Sequence, residues 1–140
     1  MVRREAFLAT GGFHPLLFFG GEETLLAYDL SAAGWGVVYE PSLTARHLPE
    51  WSGREGRSPL MRRNEVLTLW LRRPLPPAAR ASARLAAAAV TGADSARRAL
   101  LGVLVRLPAA PARRHRLPDH VEHAARLVDT GQREKEHRPA

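Results

Sequence analysis

The sequence predicts an α/β fold, and two local patterns carry that prediction. In Glu22–Ala33, apolar side chains recur every three or four positions, which is the spacing of an amphipathic helix. The residues that follow are typical of short strands. Val37–Glu40 is β-branched and aromatic, and Leu43–His47 alternates in polarity. A helix followed by two strands within so short a span indicates a mixed architecture.

The residues around this unit predict its boundaries. Two acids open the helix, where they suit the positive end of the helix dipole, and Gly34 stands where a terminating glycine belongs. Pro41-Ser42 predicts a turn between the strands. Before the helix, Gly11-Gly12 and Pro15 break the segment Val2–Phe19 and predict a loop that carries an aromatic patch.

The rest of the chain reads as helical. After a polar loop over residues 48–58, apolar periodicity and proline punctuation predict four helices: Pro59–Arg72 with Ser58 as its N-cap, Ala78–Val90, Ser95–Leu107 and Asp119–Thr130. Pro108–Pro118 reads as a linker. Asp119 and Glu122 have the spacing of a capping box. Residues 131–140 read as a disordered polar tail.

Composition excludes several classes of protein. The 140 residues include no cysteine, so disulfides and thiolate metal sites are ruled out. The longest apolar run, Ala99–Val105, is far shorter than the roughly twenty residues of a membrane span. The first five residues lack the apolar core of a signal peptide. We therefore expect a cytoplasmic protein.

The positive charge lies in the second part of the chain. Residues 1–50 contain three arginines and six acids, whereas residues 51–140 contain eighteen basic residues and eight acids. This asymmetry predicts an anionic partner such as a phosphate, a nucleic acid or an anionic lipid surface. The alternative is a compositional bias of the genome, because twenty of the twenty-one basic residues are arginine.

The most distinctive candidate for chemistry is the pair Glu22-Glu23. These acids follow Gly20-Gly21 beside the aromatic patch, and a carboxylate there could act as a general base on a hydroxyl. The competing interpretation is simple charge complementarity with the start of a helix.

Other candidates are weaker. His47 ends a predicted strand, where an imidazole could bind a divalent metal or phosphate. Arg62 and Arg63 could bind phosphate, or could belong to a solvated helix face. His120 and His123 share a helix face without a third ligand. The chain has no Asp-x-Asp pair, no P-loop and no dinucleotide-binding glycine motif.

Six short pieces of the sequence, in this order and spacing, resemble one family. They are Val2-Arg3-Arg4-Glu5-Ala6-Phe7, Gly11-Gly12-Phe13, Phe18-Phe19-Gly20-Gly21-Glu22-Glu23, Ala33-Gly34-Trp35, Val38-Tyr39-Glu40-Pro41 and His47. Together they resemble the C-terminal half of the catalytic domain of family 2 glycosyltransferases of the rhamnosyltransferase-like type. Arg62-Arg63-Asn64 and the residues after it resemble the helix that follows in that family.

The resemblance implies an activity and a set of site residues. It implies the acceptor-side half of a GT-A fold over residues 1–74, followed by an Ala/Arg-rich helical extension over 75–130. Glu23 takes the position of the general base, with Glu22 beside it. Gly11, Gly12, Phe13 and Trp35 take positions near the acceptor. His47 corresponds to a histidine that in some members lies near the metal and diphosphate.

The resemblance also implies cofactors and partners. A Mg²⁺ or Mn²⁺ ion, a nucleotide-sugar donor and a glycan or lipid-linked acceptor are expected for the family. The Asp-x-Asp motif that would hold the metal is absent, and the nucleotide-binding half lies outside residues 1–140. We therefore expect no transfer by this chain alone. Either a preceding segment or a second chain supplies the missing half, or the chain is a truncated remnant. Acceptors in the family are often membrane-linked, which implies peripheral attachment at the inner membrane face.

Three residues depart from the family pattern. Leu25 replaces an Asp, Asp29 replaces an Arg, and His14 replaces an Asp.

A function of a different class also fits the charge distribution. The chain could be a small basic module that binds nucleic acid or an anionic membrane. It has no aromatic stacking platform, so nucleic acid is the less favoured of these two partners.

Overall fold

The computed structural model describes the backbone of residues 1–17, 19–46 and 57–136, and their side chains except those of 57 and 132–136. Within these ranges the chain forms, in order, α1 (Arg4–Ala9), α2 (Glu22–Ala32), α3 (Arg57–Arg72), α4 (Leu75–Val90), α5 (Asp94–Arg106) and α6 (Asp119–Glu136). Two short 3₁₀ turns, Leu107–Ala109 and Pro111–Arg113, connect α5 to α6. The architecture is all-α.

The prediction of an α/β fold is wrong. Residues 37–46 are irregular, and the described part of the chain contains no strand, so the GT-A sheet implied by the resemblance is not formed there. A strand needs a neighbouring strand to pair with its backbone N–H and C=O groups. The local bond from Leu43 N to Glu40 O only closes the turn at Pro41-Ser42. Val38 and Tyr39 are 84% and 90% exposed. β-branched and aromatic residues favour strands when their side chains pack on a sheet surface, and these two side chains have no such packing.

The helix predictions are confirmed, with shifted ends. Helix α3 begins at Arg57, so Ser58 lies inside it and is not its N-cap, and α6 extends to Glu136, so residues 131–136 belong to a helix rather than to the predicted disordered tail. Helix α2 stops at Ala32 because Gly34, at φ +84°, turns the chain so that its N–H binds Ser31 O and the N–H of Trp35 binds Leu30 O. These two bonds form a Schellman motif. Helix α1 has no counterpart among the predictions. Helix α4 begins at Leu75, with only two residues between it and the end of α3, because the prolines at 76 and 77 fit its first turn.

The main core lies between α3, α4 and α5. Its largest fully buried apolar side chains are Leu67 and Leu71 of α3 and Leu25 of α2. Small residues of α5, Ala96 and Ala99, face the same core and allow the helices to approach closely. A second, smaller cluster joins α1 to α2. It contains Ala6, Leu26, Leu30, Phe7 and Trp35.

The C-terminal end of α3 anchors the segments around it. Its last carbonyl groups, which no helical N–H can reach, are bound by the 113–118 segment: the N–H of His115 binds Leu71 O, and that of Leu117 binds Arg72 O. The guanidinium of Arg114 donates to Trp70 O and Arg73 O. This segment therefore completes the end of α3, although its sequence predicts only a linker.

Two consecutive arginines at this end, Arg72 and Arg73, bind acids from two other helices. Arg72 donates to both carboxylate oxygens of Asp29 in α2, with Nη2 to Oδ2 at 2.9 Å. Arg73 donates from Nε to Glu122 Oε2 at 2.6 Å and from Nη2 to Asp129 Oδ2 at 3.0 Å, both in α6. Burial disfavours its charge, but the Glu122 hydrogen bond and the neighbouring anions raise the pKa of Arg73 on balance.

The predicted capping box is wrong, because Glu122 is used in this ion pair. Its carboxylate is buried and binds Arg73 and Arg126, while its backbone N–H binds Pro118 O. Asp119 starts α6 with an almost fully exposed side chain, 3.8 Å from Arg116. The carboxylate of Glu122 stabilises the buried guanidinium of Arg73 more than it would stabilise a solvent-exposed helix end.

Replacing Arg73 with alanine is expected to lower the free energy of unfolding by about 3–5 kcal/mol, because it leaves a buried carboxylate without its main partner. Urea denaturation measures this loss. The matched control is Arg116→Ala, whose exposed pair with Asp119 is worth roughly 0–1 kcal/mol. Equal losses in the two variants would contradict the structural role of Arg73.

Candidate functional site

The acid pair follows a turn with an unusual backbone. Phe19, Gly20 and Gly21 all have positive φ, at 53°, 98° and 85°. Two glycines adopt this region without strain, whereas the conformation costs Phe19 roughly 1–2 kcal/mol. Gly21 is also the N-cap of α2, and it has no side chain to bind the first N–H groups of the helix. The turn thus needs an external contact to hold its shape.

Asn64 of α3 supplies that contact. Its side chain is fully buried, and its Nδ2 donates to Gly20 O at 2.7 Å and to Phe19 O at 3.4 Å. The Nε of Arg63 donates to Asn64 Oδ1 at 2.9 Å, which orients the amide with its NH₂ group towards the turn. A Cβ added at Gly20 would lie 3.0 Å from the Met61 side chain, so the turn also fits closely against α3.

The turn and the acids line a shallow depression of about 250 Å³ between α2 and α3. Its lining residues are Phe19, Gly20, Gly21, Glu22, Glu23 and Met61. Glu23 is exposed. Glu22 is half-buried, and its Oε2 is buried without a hydrogen-bond partner among the described residues. Two carboxylates therefore stand beside the apolar surfaces of Phe19 and Met61, an arrangement suited to a hydroxyl-bearing ligand with one apolar face.

The residues predicted near the acceptor lie elsewhere, in the turn after α1 and just beyond the end of α2. Phe13 packs edge-on against Phe7, with ring centroids 5.3 Å apart, and a Cβ at Gly12 would lie 2.9 Å from the Phe7 ring. Trp35 packs on the α1–α2 cluster. Gly11 belongs to the same turn as Gly12. These four residues do not line the depression, so the structure does not bring them together with the acid pair.

The two arginines predicted to bind phosphate have different environments. Arg62 is exposed, whereas Arg63 is buried, lies against Gly102 and donates to Asn64. Burial and the positive charge of Arg106 lower the pKa of Arg63. Arg63 therefore supports the turn from within α3. His47 lies outside the described residues.

The three departures from the family pattern have structural uses here. Leu25 is fully buried in the main core, and Asp29 binds Arg72. His14 accepts a hydrogen bond at Nδ1 from the N–H of Leu16, at 3.2 Å. Burial, followed by the charge of Arg72, lowers the pKa of His14 below its ordinary value of 6.5. These positions contribute to packing and to ion pairs at the end of α3.

Sequence reasoning did not assign a role to Asn64 or Met61. The available signal was the amide of Asn64 within the apolar stripe of α3, because a polar residue on a core-facing stripe needs a buried partner. That partner is a turn more than forty residues away along the chain, which the local sequence does not indicate.

The described residues do not fit a resident metal ion. No group of three or more His, Asp or Glu in that part of the chain could hold one. The metal expected from the resemblance therefore stays a prediction.

Comparison with known proteins identified no similar protein. No family model, curated protein or solved structure matches this chain. Within the described ranges, none of the helices has the length and apolar content needed to cross a bilayer.

Replacing Asn64 with alanine is expected to lower the free energy of unfolding by about 1–3 kcal/mol, because the carbonyl groups of the turn lose a buried donor. The matched control is Glu65→Ala, the next residue of α3, whose side chain is exposed. Urea denaturation compares the two variants. An equal, small effect in both would show that the turn does not depend on Asn64.

His14 is expected to make stability depend on pH. Because its pKa is lowered in the folded state, the unfolded chain binds more protons below about pH 6.5, and the free energy of unfolding falls as the pH drops from 7 towards the folded pKa. This contribution is at most about 1.4 kcal/mol per pH unit. Denaturation of His14→Asn should show a flatter pH profile. The exposed His120→Asn is the control, and a parallel profile for both variants would refute the assignment.

Proposed function

We propose that this chain carries the acceptor-side carboxylate of a sugar-transfer reaction of the family 2 glycosyltransferase type, with Glu23 as the general base. The observation that carries the proposal is that Glu23 lies exposed at the edge of the depression, beside Glu22. The resemblance of residues 2–74 to that family supports the same assignment. The proposal concerns the site and its chemistry and does not include a GT-A sheet.

In the proposed reaction, Glu23 accepts the proton of an acceptor hydroxyl as its oxygen attacks the anomeric carbon of the donor sugar. The bond from that carbon to the diphosphate breaks, and the nucleoside diphosphate leaves with the bonding electrons. General-base assistance of this kind contributes about 10²- to 10⁴-fold in rate. The ring of Phe19 and the side chain of Met61 offer apolar surface to the C–H face of the acceptor sugar.

In the proposed reaction, the nucleotide-sugar donor binds to a nucleotide-binding half that residues 1–140 do not supply. Sugar transfer therefore requires that half, either fused before Val2 or added as a second chain. The proposed reaction takes place in the cytoplasm, at the inner membrane face that the resemblance implies.

Glu23→Gln is expected to abolish general-base catalysis while keeping the shape of the side chain. In a protein that contains the nucleotide-binding half of a family 2 enzyme fused before Val2, transfer from a panel of nucleotide sugars to glycan acceptors should fall roughly 10²- to 10⁴-fold. Product formation is measured by mass spectrometry, and the control is Glu65→Gln.

The chain itself provides a second measurement. Saturation-transfer NMR with mono- and disaccharides should detect weak binding that Phe19→Ala and Met61→Ala reduce. Transfer that survives Glu23→Gln unchanged would overturn the role of Glu23. A fused protein that transfers no sugar, together with a chain that binds no saccharide, would overturn the proposed function.

A further inference from the structure

The outward face of α5 has an unusual composition. Its inward side chains, Ala96, Ala99 and Val103, are buried in the main core, which fixes the orientation of the helix. On the opposite side, one continuous stripe contains Leu101 together with the residues three and four positions before and after it: Arg97, Arg98, Leu104 and Val105. We call these five residues the α5 stripe.

The apolar part of the stripe is exposed. Leu101, Leu104 and Val105 are 63%, 55% and 77% accessible to solvent. Single exposed apolar residues are ordinary, but three adjacent ones on a helix whose opposite face is already packed form a patch that needs a partner.

The segment that contains the stripe is strongly basic. Residues 75–118 contain eight arginines and one acid, Asp94. Arg80 and Arg84 on α4 and Arg98 on α5 are exposed, and in the described part of the chain they form no hydrogen bond or ion pair. Arg97 lies 3.7 Å from Asp94, an exposed pair that leaves the positive charge dominant.

We propose that the α4–α5 hairpin binds the surface of an anionic lipid bilayer, with the α5 stripe facing the membrane. The apolar side chains enter the boundary between headgroups and acyl chains, while the arginines keep their guanidinium groups among the lipid phosphates. With 13 residues, α5 is about 20 Å long, which suits a helix that lies in the plane of the interface.

Charge and polarity favour this partner over two others. A symmetric contact with a second copy would bring two clusters of arginines together, which like-charge repulsion disfavours. Nucleic acid would satisfy the arginines but would leave the three aliphatic side chains in water, since they offer no surface for base stacking. The inference rests on α4 and α5 and does not depend on the acid pair.

The first test is co-sedimentation of the full chain with vesicles of phosphatidylcholine alone or with 30 mol% phosphatidylglycerol. Binding is expected only to the anionic vesicles, and it should weaken as salt is raised. The triple variant Leu101→Gln/Leu104→Gln/Val105→Gln should lower the partition coefficient by roughly tenfold or more, because it removes the apolar contact. The matched control is Leu127→Gln/Val128→Gln, which removes exposed apolar side chains of α6.

The second test locates the stripe at the membrane. Because the native chain has no cysteine, Leu104→Cys can be labelled at one site with an environment-sensitive fluorophore. Anionic vesicles should shift its emission to the blue, whereas Leu127→Cys should show no shift. Circular dichroism verifies that each variant retains its helices.

Several results would overturn the proposal. They are equal binding to neutral and anionic vesicles, vesicle binding that the triple variant retains, or an unshifted label at position 104. If the chain does not bind vesicles but forms dimers, and the triple variant does not, the stripe is instead a contact with a second copy. A chain that ignores vesicles but binds a DNA duplex would assign the basic surface to nucleic acid.

Discussion

Two adjacent arginines at the end of α3 hold the outer helices against the core. Arg72 binds Asp29 of α2, and Arg73 binds Glu122 and Asp129 of α6. The carbonyl groups of the same helix end bind the 113–118 segment. A buried guanidinium is stable only when several acceptors surround it, so α2, α6 and this segment must all be in place together. This requirement links α2, α6 and the 113–118 segment through one helix end.

The same helix also shapes the candidate site, through a residue near its middle. Asn64 holds a turn in which three consecutive residues have positive φ, and that turn leads directly into the acid pair. The amide is oriented by Arg63, which is itself buried against α5. The position of the carboxylates therefore depends on α3 and α5, although both acids belong to α2. The buried side chain of Asn64 holds the turn that precedes α2, and this contact sets the position of the two acids at the depression.

Two exposed regions distinguish this chain from a fully closed domain. Residues 37–46 present valine and tyrosine side chains to solvent, and α5 presents the stripe. The two regions differ in charge. The first lies in the acidic part of the sequence, whereas the second lies in residues 75–118, which contain eight arginines and one acid. Electrostatic complementarity therefore points the stripe towards an anionic surface, whereas no such argument identifies a partner for the extended segment.

The sequence alone determined helices α2 to α6, because apolar periodicity, prolines and Gly34 are local signals that act on neighbouring residues, whereas α1 was not predicted. It also indicated the acid pair as the most distinctive chemical feature. Only the tertiary structure decided that Val37–Glu40 stays unpaired, since a strand exists only when distant backbone pairs with it. Likewise, Glu122 has the spacing of a cap but binds Arg73. Its carboxylate stabilises a buried charge more than it would stabilise an exposed helix end. The contact between Asn64 and Gly20 joins residues 44 positions apart, so no local pattern predicts it.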